Sequence, residues 1–136
     1  MTSGEVTHQV SETVERYVRL LDAGDVPGVL GLFAEEGVVS SPMQGKIPAR
    51  EFYPELAATL QRAEITAQEI FVSTTDPHRA AVRFRYDWTA AAENPPNFDC
   101  IDVITLDADG LIAELRFVYD THPLRVAWQD ALDRLR

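Results

Sequence analysis

Apolar side chains recur every three or four positions near the start of the chain. Val10, Val14, Tyr17, Val18 and Leu21 fall on one helical face, and Gly24 ends that helix. Asp25 is a good N-cap for a second helix, with Val29, Leu30 and Phe33 turned inward and Gly37 as its stop. Val38, Val39, Ser40 and Ser41 then read as a short strand closed by Pro42, which cannot continue a central ladder. A third helix carries Phe52, Leu56 and Leu60 on one face, and Pro54 either sits in its first turn or kinks it.

After Ala63 the period changes from helical to two. Val82, Phe84, Tyr86 and Trp88 alternate with Arg83, Arg85 and Asp87, which predicts a strand with one apolar and one charged face. Phe98, Cys100, Asp102 and Ile104 alternate with Asp99, Ile101 and Val103. Asp109-Gly110 then predicts a hairpin turn into an antiparallel strand over Leu111 to Tyr119. Leu124, Trp128, Ala131, Leu132 and Leu135 restore helical spacing, with Pro123 placed for the first helical position. Three helices, a run of strands and a terminal helix predict an α+β fold: a cone-shaped, curved antiparallel sheet packed against three N-terminal helices, with an extra C-terminal helix. The concave face of such a cone makes an apolar pocket.

Composition narrows the class. The 136 residues suit one domain spanning 1–136, with no repeat or linker. Twelve Lys and Arg against twenty-two Asp and Glu leave a net charge of −10, which repels nucleic acid and anionic membrane surfaces. Neither is expected as a partner. Cys100 is the single cysteine and cannot form an internal disulfide, and no Cys/His grouping has zinc-ligand spacing. With no export signal and no apolar run long enough to span a bilayer, the expectation is a cytoplasmic protein.

One residue breaks its own pattern. Asp102 shares the apolar face of its strand with Phe98, Cys100 and Ile104, and a carboxylate buried without a partner responds by keeping its proton. Tyr17 is a second polar-tipped side chain on an apolar face. A neutral carboxylic acid and a phenol aimed into one dry pocket are a pair of donors suited to a developing oxyanion.

At this point the chain resembles a known family. The segments Glu15 to Asp25 and Leu32 to Val39 look like the first two helices and first strand of ketosteroid isomerases. Asp99-Cys100-Ile101-Asp102-Val103, followed by Asp107 to Ile112, is similar to that family's final hairpin. The resemblance reaches to about Tyr119. It implies the cone of the nuclear transport factor 2-like superfamily, which also holds the SnoaL-like polyketide cyclases, and it implies a homodimer formed through the outer sheet face. It further implies that Tyr17 and Asp102 form an oxyanion hole, ketosteroid isomerases being the standard instance of a carboxylic acid kept neutral by an apolar site. The family's general base is an aspartate before a proline at the end of the first strand. Here Ser40-Ser41-Pro42 puts Ser41 in that place, and a serine hydroxyl alone does not take a carbon-bound proton at neutral pH.

The expectation is therefore an isomerase-, cyclase- or hydratase-like protein that needs no cofactor or metal and binds a small hydrophobic carbonyl or polycyclic molecule, with ordinary ketosteroid isomerisation not expected. Tyr17 and Asp102 would hold the ligand's oxygen, and Ser41, Phe84, Tyr86, Trp88, Phe98, Cys100, Phe117 and Tyr119 would line the pocket. Asp120 and His122 are either an acid-base pair at the mouth or a helix cap. Blander readings stand beside these. Tyr17 is either a site residue or a core tyrosine, and Asp102 either a pocket acid or a structural carboxylate that a bulge would turn outward. Ser41 is a ligand contact or a filler, and Cys100 a small buried hydrophobe. Loss of the base at Ser41 also suits a non-catalytic binding or interaction module with the same fold.

Overall fold

The computed structural model describes residues 2–42, 44–59, 62–89, 97–119 and 125–135. Helix α1 runs Ser3–Asp22 and begins well before Val10, because its apolar face continues back to Val6 and its N-terminus is closed by a capping box. There the Thr2 hydroxyl accepts from the Glu5 N–H, and the Glu5 carboxylate accepts from the Thr2 N–H, each at 3.2 Å. A single turn of helix, α2 (Val26–Leu30), follows, capped by Asp25, whose Oδ1 accepts from the Gly28 N–H at 2.9 Å.

The second helix is thus shorter than its apolar spacing predicts. Phe33 to Gly37 belong to strand β1 (Phe33–Ser41), not to a helix. The physical reason lies across the sheet. Leu32 O accepts from the Ile112 N–H at 2.8 Å and Phe33 registers with Ile112, so the chain turns extended as soon as that edge is available. Gly37 serves close approach instead of stopping a helix: a Cβ there would lie 2.8 Å from Ile112 O and 2.9 Å from Ala34 O. It sits within an irregularity of register between Phe33 and Val38.

The remaining elements are β2 (Gly45–Pro48), α3 (Ala49–Thr59), β3 (Arg62–Val72), β4 (Arg79–Thr89), β5 (Asn97–Leu106), β6 (Ile112–Val118) and α4 (Arg125–Arg134). Pro54 lies inside α3, beyond its first turn. Six strands form one curved, unclosed sheet in the order β2-β1-β6-β5-β4-β3. All pairings are antiparallel except β1 with β6, which is parallel. The β5–β6 turn is held by Asp107, whose Oδ1 accepts from the N–H groups of Asp109 at 2.9 Å and Leu111 at 3.0 Å, while Gly110 takes φ 82°.

Strand alternation sorts the sheet into two faces. Ala80, Val82 and Phe84 on β4, with Cys100, Asp102, Ile104 and Leu106 on β5, are buried under the helices. They pack with Val10, Val14, Tyr17 and Val18 of α1 and with Phe52 and Tyr53 of α3. The other face exposes Arg83, Arg85, Ile101 and Val118. Helix α4 buries Ala131 in the same core. Leu60, Pro123 and Leu124 lie outside the described residues. Among the described residues no helix is long and apolar enough to cross a membrane.

Candidate functional site

Tyr17 lies on the buried face of α1, three positions after Val14, and is 0% exposed. Its hydroxyl is 2.7 Å from that of Tyr53 on α3. Tyr53 is held from three sides by aromatic rings: Tyr17 at 6.2 Å, Phe33 at 5.5 Å and Phe52 at 5.0 Å between centroids. Tyr53 is not among the site residues expected from the sequence, although the signal that marks Tyr17, a polar-tipped aromatic on a helix's apolar side, is present one residue after Phe52 and three before Leu56. When Tyr53 donates to Tyr17, the Tyr17 proton is free to be donated onward.

Asp102 is 0% exposed on the concave face of β5, so no bulge turns it outward. Its cross-strand neighbours are Val82 on β4 and Phe117 on β6. Oδ1 accepts from the Cys100 thiol at 3.1 Å, while Oδ2 is buried with no hydrogen-bond partner among the described residues. Burial pushes the carboxyl pKa up to about 8, with the thiol's hydrogen bond pulling the other way. Asp102 is therefore mostly a neutral acid at pH 7, with a proton to give.

The Tyr17 phenol is held well above its usual range, first by burial, then by Tyr53 and by the proximity of Asp102. Cys100 is pushed up by burial and by Asp102, so it stays a thiol. Tyr119, just past β6, is half-buried and raised mainly by burial. It lies close enough to Cys100 and Asp102 to feel both, and its hydroxyl is 3.5 Å from the Ser41 hydroxyl at the end of β1. The structure thus brings Tyr17, Ser41, Cys100, Asp102 and Tyr119 toward one region and adds Tyr53.

Phe84 and Phe117 also face this interior, Phe117 packing on Phe52 at 5.3 Å. Strands β4 and β5 carry Tyr86, Trp88 and Phe98, but those side chains lie outside the described residues, as do Asp120 and His122 entirely. Among the described residues no three His, Cys, Asp or Glu side chains gather as metal ligands do. Chemically the cluster offers neutral O–H donors in an apolar setting, the arrangement that stabilises negative charge developing on a ligand oxygen.

Comparison with known proteins places the fold and the family. The family model for the SnoaL-like domain matches residues 14–115. The steroid Delta-isomerase of Nocardioides simplex is 29% identical over 113 residues, covering 79% of this chain and 87% of that protein. Among solved structures, an NTF2-like protein of unknown function from Cytophaga hutchinsonii superposes with a TM-score of 0.70 at 13% identity, over 85% of this chain and 94% of its own. SalBIII, an epoxide hydrolase/cyclase-like enzyme of pyran ring formation in the polyether salinomycin, does so at 0.75 and 18% identity, over 90% and 97%. At such identities these two speak for the fold alone. With three-quarters of its length matched by the family model, the chain belongs to the SnoaL-like family, in the ketosteroid isomerase-like group of the nuclear transport factor 2-like superfamily.

Proposed function

We propose that this isomerase/cyclase-like protein binds a hydrophobic carbonyl-containing or polycyclic molecule and holds its oxygen between the Tyr17 phenol and the neutral Asp102 acid. The observation that carries the reading is Asp102 Oδ2, fully buried and without a partner among the described residues. A polar atom in that state costs about 1–3 kcal/mol unless something completes it, and a ligand oxygen accepting its proton would do so. Two preorganised donors favour any step that passes through an enolate- or alkoxide-like state, as isomerisation, cyclisation and hydration or elimination do.

A second reading is favoured by Ser41. Where a general base would be expected stands a hydroxyl facing another hydroxyl, that of Tyr119. A site with donors and only a hydroxyl at that position can bind such ligands without turning them over. For either reading we propose a homodimer through the outer sheet face, where Ile101 and Val118 sit side by side and exposed.

Titration with equilenin, a fluorescent phenolic steroid, tests the binding site directly. Saturable binding that weakens in both Tyr17→Phe and Asp102→Ala supports the donor pair, and a folded protein that binds no ligand overturns it. Replacing Ser41 with aspartate separates the readings: proton transfer on a 3-keto steroid well above background would show a competent site that lacks only its base.

A further inference from the structure

The two oxygens of Asp102 have unequal surroundings. Oδ1 accepts from the Cys100 thiol at 3.1 Å, and Oδ2 is buried with no partner among the described residues. Cys100 and Asp102 stand two positions apart on β5, so both project from the concave face and the thiol reaches the carboxyl along the strand. The side chains directly opposite Asp102 on the neighbouring strands, those of Val82 and Phe117, have no polar hydrogen to offer.

From this asymmetry we infer that Cys100 is a positioning residue, whose thiol proton engages Oδ1 and so directs the proton of the neutral acid onto Oδ2, the oxygen that faces the ligand. A neutral carboxyl has one carbonyl oxygen and one hydroxyl oxygen. If Oδ1 were the hydroxyl, the thiol would have to donate to the weaker acceptor of the two oxygens, or turn and act as a weak acceptor itself. With the carbonyl at Oδ1, both hydrogens have a direction. The thiol keeps this role over a wide pH range, since its burial and the nearby Asp102 raise its pKa.

The clause about the ligand rests on the proposed function. The grip of the thiol on the carboxyl is a property of the unliganded protein and can be tested without any ligand. Among the described residues the titratable groups facing Asp102 are Cys100 on its own strand, Tyr17 from α1 and Tyr119 past β6, with Tyr53 of α3 behind Tyr17. The thiol and the phenols of Tyr17 and Tyr119 are all raised by burial, so a transition near pH 8 belongs to the acid itself.

The experiment is a pH titration of carboxyl-13C-labelled aspartate by NMR in the wild type, Cys100→Val and Cys100→Ser. Valine fills similar space without a donor, whereas serine keeps one. The expected result is a buried carboxyl whose midpoint rises by about half a pH unit or more in Cys100→Val and lies at or below the wild-type value in Cys100→Ser. Equilenin affinity should fall several-fold in the valine variant and recover in the serine variant. Equal midpoints in folded wild type and Cys100→Val would overturn the inference, as would a serine variant that behaves like valine. If the midpoints move as expected and equilenin binds none of the three, the positioning of the carboxyl stands and the proposed ligand class falls.

Discussion

Asp102 makes stability depend on pH in a direction opposite to that of most carboxylates. Its folded pKa, pushed up to about 8, exceeds the 3.8 of a free aspartate. The folded state therefore holds a proton that the unfolded state has released. The resulting stability is fully present below about pH 4 and is lost as pH rises toward 8, at up to about 1.4 kcal/mol per pH unit. Asp102→Asn removes this dependence. Thermal melts should show the variant gaining on wild type as pH rises from 4 to 8, and parallel curves would contradict the buried neutral acid. The same titration acts on binding: a 3-keto steroid that does not itself ionise should bind progressively more weakly above pH 8, read by calorimetry. The tyrosine pair predicts a non-additive result. Tyr17→Phe or Tyr53→Phe alone breaks this hydroxyl pair and should cost about 0.5–1.5 kcal/mol in denaturant unfolding, while the double variant should cost clearly less than the sum. Asp102 was readable in advance because a charged residue stood in an apolar register. Tyr53 carries the same local signal as Tyr17, but its contact with Tyr17 was not readable, because nothing in the chain states which faces of two helices will meet.

Among the secondary-structure elements, α3 contains an avoidable defect. Pro54 lies beyond the first turn and is exposed, so it removes an interior hydrogen bond without filling the core. Pro54→Ala should stabilise the fold by about 1–3 kcal/mol, measured by chemical denaturation, and unchanged stability would mean that α3 is already shaped around the ring. Gly37→Ala should do the reverse, since the new methyl would press on Ile112 O and Ala34 O where β1 meets β6. Helix α1, β4 and the β5–β6 hairpin were readable because periodicity and turn chemistry are local properties. Strand β2 was not, its four residues Gly45–Pro48 being too few to show alternation. The start of β1 departs from the helix its spacing predicts, because Phe33 follows helical spacing from Val29 and only the distant Ile112 makes that segment extended.

The outer sheet face completes the picture. Ile101 and Val118 lie directly across from each other, bordered by cross-strand pairs of opposite charge, Glu69 with Arg83 and Arg85 with Asp99. If a second copy covers this face, sedimentation should give twice the chain mass for the wild type and a single chain mass for Val118→Asp. An unchanged dimer in that variant would place the contact elsewhere. The alternation that sorted the inner from the outer residues was plain in β4. The period alone does not say whether a partner covers the outer face, because exposed apolar residues and solvated ones follow the same period, and the homodimer there was implied by the family resemblance.

The parallel pairing of β1 with β6 also dictates an order of events during synthesis. Strands β3 to β6 each pair with their neighbour in the chain, and short-range contacts form readily. Val39 must wait for Leu115, which leaves the ribosome long after it. Until then β1 has only β2 to pair with, and Ser41 has no Tyr119 opposite it. A nascent chain halted before Ile112 already contains Tyr17, Tyr53 and Asp102, yet it lacks the strand that would bring β1 alongside them.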